Sequence, residues 1–157
     1  MQLRYFNQPH FENGSLKLIS QVLKEHGIKK PLICTDPGLV AIGMTDKIRN
    51  LISNELSPTF YTETPANPTE QAVNDALELY KQNDCDGVVG FGGGSSMDLA
   101  KTVALMANHE GNVVDYSVNE GGTGKIKETV PTVAIPTTSG TGSEVSLGAV
   151  IIMNDGR

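Results

Sequence analysis

Apolar residues along this 157-residue chain recur at two spacings that take turns, helical in some stretches and in short unbroken runs in others. Leu16, Ile19, Val22 and Leu23 share one helical face, with Asn13-Gly14-Ser15 as its start and Gly27 as its stop. PLICTD, residues 31–36, reads as a short buried strand. Pro37 then opens a second helical pattern through Leu39, Val40, Ile42, Ile48, Leu51 and Ile52, weakened in the middle by Gly43. Residues 59–62 predict a brief strand. Asn67 as cap, Pro68 in the first turn and Glu70 at a capping-box position predict another helix, buried through Val73, Ala76, Leu77 and Tyr80. Residues 87–91 predict a strand, and Met97, Ala100, Val103, Ala104 and Leu105 form the inner face of a helix starting at Ser95. After the polar loop VNEGGTGKIKE come two more apolar runs, at 132–136 and 145–153.

Strands alternating with helices predict an α/β fold, a doubly wound, mainly parallel sheet with helices on both faces, Rossmann-like in plan. Its length suits one domain spanning 1–157. The run at 145–153 leads into Asn154-Asp155-Gly156, a hairpin signal with no return strand after it. A truncated domain and an unpaired strand edge are therefore expected, the edge covered by another chain or prone to self-association.

Charge narrows the partners. With 12 basic and 18 acidic residues the formal charge is −6, and no Lys/Arg cluster makes a phosphate-tracking stripe, so nucleic acid is not expected. No apolar stretch approaches the roughly 20 residues of a membrane helix, and MQLRYFNQPHF has no apolar signal core, which makes a cytoplasmic location the expectation. Cys34 and Cys85 each sit beside an apolar run, as buried reduced thiols do. His10, His26 and His109 show no metal-ligand spacing, and His26 suits a helix carboxyl end before Gly27.

Candidate chemistry gathers in the loops that follow the strands, where ligands bind in such sheets. In GFGGGSSMDLAK, the glycines at 92, 93 and 94 let a ligand approach the backbone while the following helix aims unpaired N–H groups at the same spot. That is an anion site, most naturally for a phosphate; read alone, it is equally a tight turn capped by Ser95 or Ser96. Gly90 and Gly92 fit the first two positions of G-x-G-x-x-G, but Ser95 occupies the third, so the usual dinucleotide fingerprint is missing. Gly-Thr-Gly-Lys at 122–125 is not a P-loop either. TTSGTGS at 137–143 offers five hydroxyls and two glycines after a buried strand, or simply a hydroxyl-rich turn. Asp36, closing its apolar run, can accept from both ribose hydroxyls and repel a 2′-phosphate, or cap the helix that Pro37 opens.

Together these motifs resemble the iron-containing (group III) alcohol dehydrogenase family. GGGSSMDLAK matches that family's GGGSxxDxAK signature and PTTSGTGSEVS its PTTxGTGSEVT signature with serine last, while ANPT and TDPGL fall where the family has similar segments. Dehydroquinate synthase and glycerol dehydrogenase share the wider fold with a poorer match in these loops. The resemblance implies the NAD-binding part of an enzyme that moves a hydride between a small-molecule alcohol or aldehyde and NAD. Gly93, Gly94 and Ser95 would hold the pyrophosphate, Thr137, Thr138 and Thr141 would lie along the adenine and ribose, Asn67 would be a further contact and Asp36 would select NAD over NADP. Asp98, also in the signature, ranks lower as a cofactor contact, and Lys101 lower still. The resemblance implies as well a second, helical domain carrying an aspartate and three histidines for a divalent metal, iron or zinc, which this sequence does not contain. Binding of NAD without turnover is the expectation for this chain alone. A non-catalytic nucleotide-binding or interaction module, and an enzyme completed by a separate chain, are the competing readings. Relatives of this kind often dimerise through amino-terminal segments, for which MQLRYFN offers a weak strand signal and a homo-oligomer is an open outcome.

Overall fold

The structure, a computed structural model, describes residues 7–156; most of the MQLRYFN segment lies outside them. Four strands, β1 (Pro31–Cys34), β2 (Thr59–Tyr61), β3 (Gly87–Gly92) and β4 (Thr132–Pro136), form one sheet in the order β2-β1-β3-β4. Every pairing is parallel, with Leu32 opposite both Thr59 and Val88, and Val89 opposite Val133. Five α-helices connect or flank the strands: α1 (Ile19–Glu25), α2 (Pro37–Ala41), α3 (Met44–Leu51), α4 (Glu70–Gln82) and α5 (Gly94–Met106).

Strand alternation divides the interior into two cores. Leu32, Cys34 and Val88 pack with Val73, Ala76 and Tyr80 of α4 and Leu99, Ala100 and Val103 of α5. Ile33, Val89 and Phe91 face the other way, onto Ile19 and Leu23 of α1 and Ile48 of α3. A parallel sheet needs both faces covered because its crossovers place helices there. The direction of travel also reverses: β1 to β2 goes one way along the sheet, while β2 to β3 crosses back over β1. The carboxyl ends of β1 and β3 therefore flank a topological switch point, where a crevice opens.

The helices depart from the sequence expectation in instructive places. Gly43, at φ +75°, breaks the second pattern into α2 and α3. The first turn at Ser15–Leu18 is 3-10 before α1 proper begins. The cap of α4 is Thr69, whose hydroxyl accepts from the Ala72 N–H at 3.2 Å, and not Asn67. A distant segment causes the shift: Ile152 donates to the Pro68 carbonyl at 2.9 Å and accepts from Glu70 N–H at 2.9 Å, which holds 68–69 extended.

The expected strand at 145–153 is a correction. Ser143–Val145 forms a 3-10 turn, and beyond it only Ile152 makes a single bridge, to Thr69. The Asn154-Asp155-Gly156 turn does form, Gly156 N–H donating to Met153 O at 2.9 Å. Side chains of α5, described below, take the backbone groups that a ladder would have used, and among the described residues the two edges of the sheet are β2 and β4.

Loop 118–128 folds into 3-10 turns at Val118–Glu120 and Gly122–Lys125. His109 secures it: Lys127 N–H donates to Nε2 at 2.8 Å, which leaves the proton on Nδ1 to donate to Leu105 O at 2.7 Å. Both cysteines are free and buried. Burial, reinforced by Cys85, pushes the Cys34 thiol far above its ordinary range, and burial raises Cys85 as well. Since the thiolate is the reactive species, both should react with a disulfide reagent at neutral pH only as fast as the chain opens. Stopped-flow release of thionitrobenzoate checks this, and a burst equal to one thiol would contradict it.

Candidate functional site

The crevice at the switch point is an open cleft of about 460 Å³, a size that takes part of a small organic ligand. All four strands contribute to it through the residues that follow them. Asp36 and its neighbours come from the β1 end, Thr64 to Ala66 from the β2 end, Gly93, Ser95 and Ser96 from the β3 end, and Thr137 and Thr138 from the β4 end.

Asp36 fills both roles weighed for it. Its Oδ1 accepts from Leu39 N–H at 3.0 Å and caps α2. Its Oδ2 faces Gly92, 3.2 Å from the point where a Cβ on that glycine would stand. Ser96 Oγ is 2.5 Å from the same point, and Gly92 adopts φ +155°, so a side chain there would meet both a strained backbone and two oxygens.

Helix α5 begins without a side-chain cap. Gly93 is its N-cap residue, and neither serine caps it: Ser95 Oγ donates to Ala66 O, stitching the glycine loop to the β2–α4 loop. The first N–H groups of a helix have no partner inside it and carry the positive end of its dipole. Here they open at Gly93 and Ser95, which line the cleft.

Among the described residues, three buried hydroxyls have no hydrogen-bond partner within the protein, Thr35 Oγ1, Thr64 Oγ1 and Ser96 Oγ, and two of them belong to residues that line this cleft. Thr64 and Ser96 are each 1% exposed and line the cleft, and Thr35 immediately precedes Asp36. Folded proteins satisfy nearly all such groups, because each one left alone costs about 1–3 kcal/mol. The two that line the crevice could be satisfied by water or by a polar ligand there.

Of the residues singled out in the sequence, Asp36, Gly93, Ser95, Thr137 and Thr138 line this cleft together. Asn67 is exposed and adjoins the Thr64–Ala66 wall without being part of it. Gly94 packs toward Thr141, whose side chain would lie 3.7 Å from an added Cβ. The Thr141 hydroxyl is engaged within its own loop, donating to Glu144 Oε2 at 2.8 Å and accepting from Ser143 N–H at 3.3 Å. Its own backbone N–H and the Thr141 hydroxyl hold the Glu144 carboxyl below the usual range. Asp98 lies one helical turn into α5, outside the cleft lining, with both carboxylate oxygens occupied. Sequence reasoning missed Thr64 and Ser96 as lining groups. Ser96 was visible beside Ser95, whereas nothing local to Thr64 signals its role.

Comparisons with known proteins converge on one group. The family model for iron-containing alcohol dehydrogenases matches residues 7–157. The chain is 44% identical over 154 residues to a 4-hydroxybutyrate dehydrogenase of Cupriavidus necator, covering 98% of this chain and 40% of that protein. A sulfoacetaldehyde reductase of Bifidobacterium kashiwanohense, solved in complex with NAD+, superposes with a TM-score of 0.78 at 31% identity, over 93% of this chain and 39% of that one. The crystal structure of a 1,3-propanediol oxidoreductase superposes with a TM-score of 0.85 at 27% identity, over 99% of this chain and 41% of that one. The chain thus spans about two fifths of the length of the relatives it matches.

Proposed function

The chain belongs to the iron-containing alcohol dehydrogenase family, and we propose that it forms the NAD-holding part of an oxidoreductase that moves a hydride between a small-molecule alcohol or aldehyde and the cofactor. The observation that carries this reading is the uncapped start of α5 opening into a cleft rimmed by unsatisfied buried hydroxyls. A phosphate group supplies what those donors lack: negative charge for the helix end and acceptor oxygens for N–H and O–H groups. In this reading Gly93, Gly94, Ser95 and Ser96 receive the pyrophosphate, Thr137, Thr138 and Thr141 lie along the adenosine, and Asn67 stands at the margin. Asp36 Oδ2 is the group that would accept from a ribose hydroxyl.

The hydride chemistry is proposed for a protein that also supplies metal ligands. Among the described residues, no group of three or more His, Cys, Asp or Glu is placed to hold a metal ion. No residue here is assigned a metal role, and the chain alone is expected to bind NAD without turnover. No helix among the described residues is long and apolar enough to cross a membrane, and the buried reduced thiols support a cytoplasmic setting as part of the same proposal.

The test is a titration with NADH. The chain has no tryptophan, so enhancement of the nicotinamide emission can be followed without indole interference, and calorimetry with NAD+ gives an independent reading. Saturable binding is expected; a folded chain that shows neither signal at millimolar cofactor would instead favour an interaction module. Selectivity tests Asp36 separately. Its carboxylate should disfavour a 2′-phosphate, so Asp36→Ala is expected to raise the NADPH-to-NADH affinity ratio by about tenfold, at a stability cost of about 1 kcal/mol from the lost α2 cap. An unchanged ratio would assign the selectivity to other groups.

A further inference from the structure

Segment 143–150 raises a question that the cleft does not answer. It forms no strand, and it turns apolar side chains outward, with Val145, Leu147 and Val150 at 62%, 77% and 75% exposure. Neither a ladder nor an apolar anchor fixes it. What holds it is a pair of charges on α5. Lys101 Nζ lies 2.6 Å from Gly148 O, 3.0 Å from Ser143 O and 3.3 Å from Ser146 O, and 3.0 Å from Asp98 Oδ1. Asp98 Oδ1 also accepts from Ser143 Oγ at 2.6 Å, and Oδ2 accepts from Val150 N–H at 3.0 Å.

One ammonium and one carboxylate thus engage five groups of an eight-residue segment, three carbonyls, a hydroxyl and an N–H. Their side chains are only 17% and 15% exposed. Charge-assisted hydrogen bonds shielded from water are stronger than neutral ones, and withdrawing either partner leaves the other charge uncompensated. The same segment carries the end of the hydroxyl loop: Ser143 N–H donates to Thr141 Oγ1, and Glu144 Oε2 accepts a hydrogen bond from that hydroxyl. Upstream, Thr137 N–H bonds to Gly92 O at 2.8 Å. The hydroxyl loop is therefore pinned at both ends, by the sheet at Thr137 and by the charged pair at Ser143.

We propose that Asp98 and Lys101 are positioning residues, a clasp that sets the Thr137–Ser143 loop at the height at which it meets the bound dinucleotide, without touching that ligand themselves. This rests on the dinucleotide reading above and goes beyond it by giving the charged pair of the glycine-rich motif a task. It explains why the aspartate and lysine sit three residues apart on α5. That spacing places both on one helix face, the face that looks onto 143–150, one turn beyond the end that meets the ligand.

The experiment uses this chain, wild type and Lys101→Met, with three measurements: amide exchange in 143–150 without ligand, NADH affinity, and affinity for inorganic pyrophosphate. A clasp predicts exchange at least about tenfold faster and NADH binding about tenfold weaker in the variant, with pyrophosphate, which needs only the glycine loop, held within roughly twofold. Lys101→Arg, which restores the charge, should recover NADH affinity to within about threefold. Unchanged exchange and NADH affinity in Lys101→Met would overturn the clasp, and so would an equal loss of pyrophosphate binding, which means general collapse. If Lys101→Met fails to fold, Ser143→Ala removes only the hydroxyl on Asp98; a smaller shift in the same direction supports the clasp, and none overturns it. A wild-type chain that binds no NADH would defeat the dinucleotide reading, while the exchange measurement still decides whether the clasp exists.

Discussion

Gly93→Val is expected to leave the domain folded and to weaken NADH binding by about 100-fold, the equivalent of losing one or two charge-assisted contacts to a phosphate. The reasoning turns on what this glycine is not needed for. Its backbone, at φ −77° and ψ −171°, is extended and open to any residue. An added Cβ would come no closer to the chain than 3.6 Å, from Thr138 Oγ1, an ordinary contact. Neither strain nor packing demands glycine here, yet the position lines the cleft at the start of α5. The space is then kept for the ligand, and valine's two methyl groups would occupy it. Urea unfolding should place the variant within about 1 kcal/mol of wild type, as for a substitution that meets no packed atom. Wild-type NADH affinity in the folded variant would mean that the phosphate does not sit against this backbone.

The sequence made the sheet legible because burial on both faces leaves strands as unbroken apolar runs, and PLIC and GVVGFG are buried at every position. The ligand-binding carboxyl edge of the sheet was legible too, since three loops of unusual composition each followed such a run, whereas the switch point needed the strand order of the fold. What escaped was set by contacts between distant residues. Asn67, Pro68 and Glu70 have the chemistry of a helix start at Asn67, but Ile152, more than eighty residues later, holds the chain extended to Thr69. The apolar pattern at 145–153 suited a strand, yet Asp98 and Lys101 claimed the backbone groups a partner strand would have bonded. Thr64 has no local signal, because its importance lies only in the burial of its hydroxyl beside the cleft. Local rules named the elements; the identity of a cap or a lining group depended on what the fold carried past it.

The glycines of this motif do different work, and Gly90 should show the contrast with Gly93 most sharply. It lies inside β3, paired with Cys34 on one side and Ala134 on the other, fully in the sheet and away from the cleft lining. A Cβ there would stand 2.7 Å from Met97 Cα, 3.1 Å from Ala100 Cβ and 3.2 Å from Ser96 O. The nearest atom is helix backbone, which cannot swing aside as a flexible side chain would. Helix α5 could accommodate the substitution only by moving off the sheet, and Leu99, Ala100 and Val103 would lose part of their burial in the core with it. Gly90→Val is therefore expected to cost about 3 kcal/mol or more, at or beyond the upper end of overpacking, seen as a lowered urea midpoint with the slope unchanged. Binding of NADH should fall in parallel with the folded fraction, because the displaced element is the one whose amino end meets the phosphate. A variant as stable as wild type would show that α5 sits farther from β3 than these contacts place it.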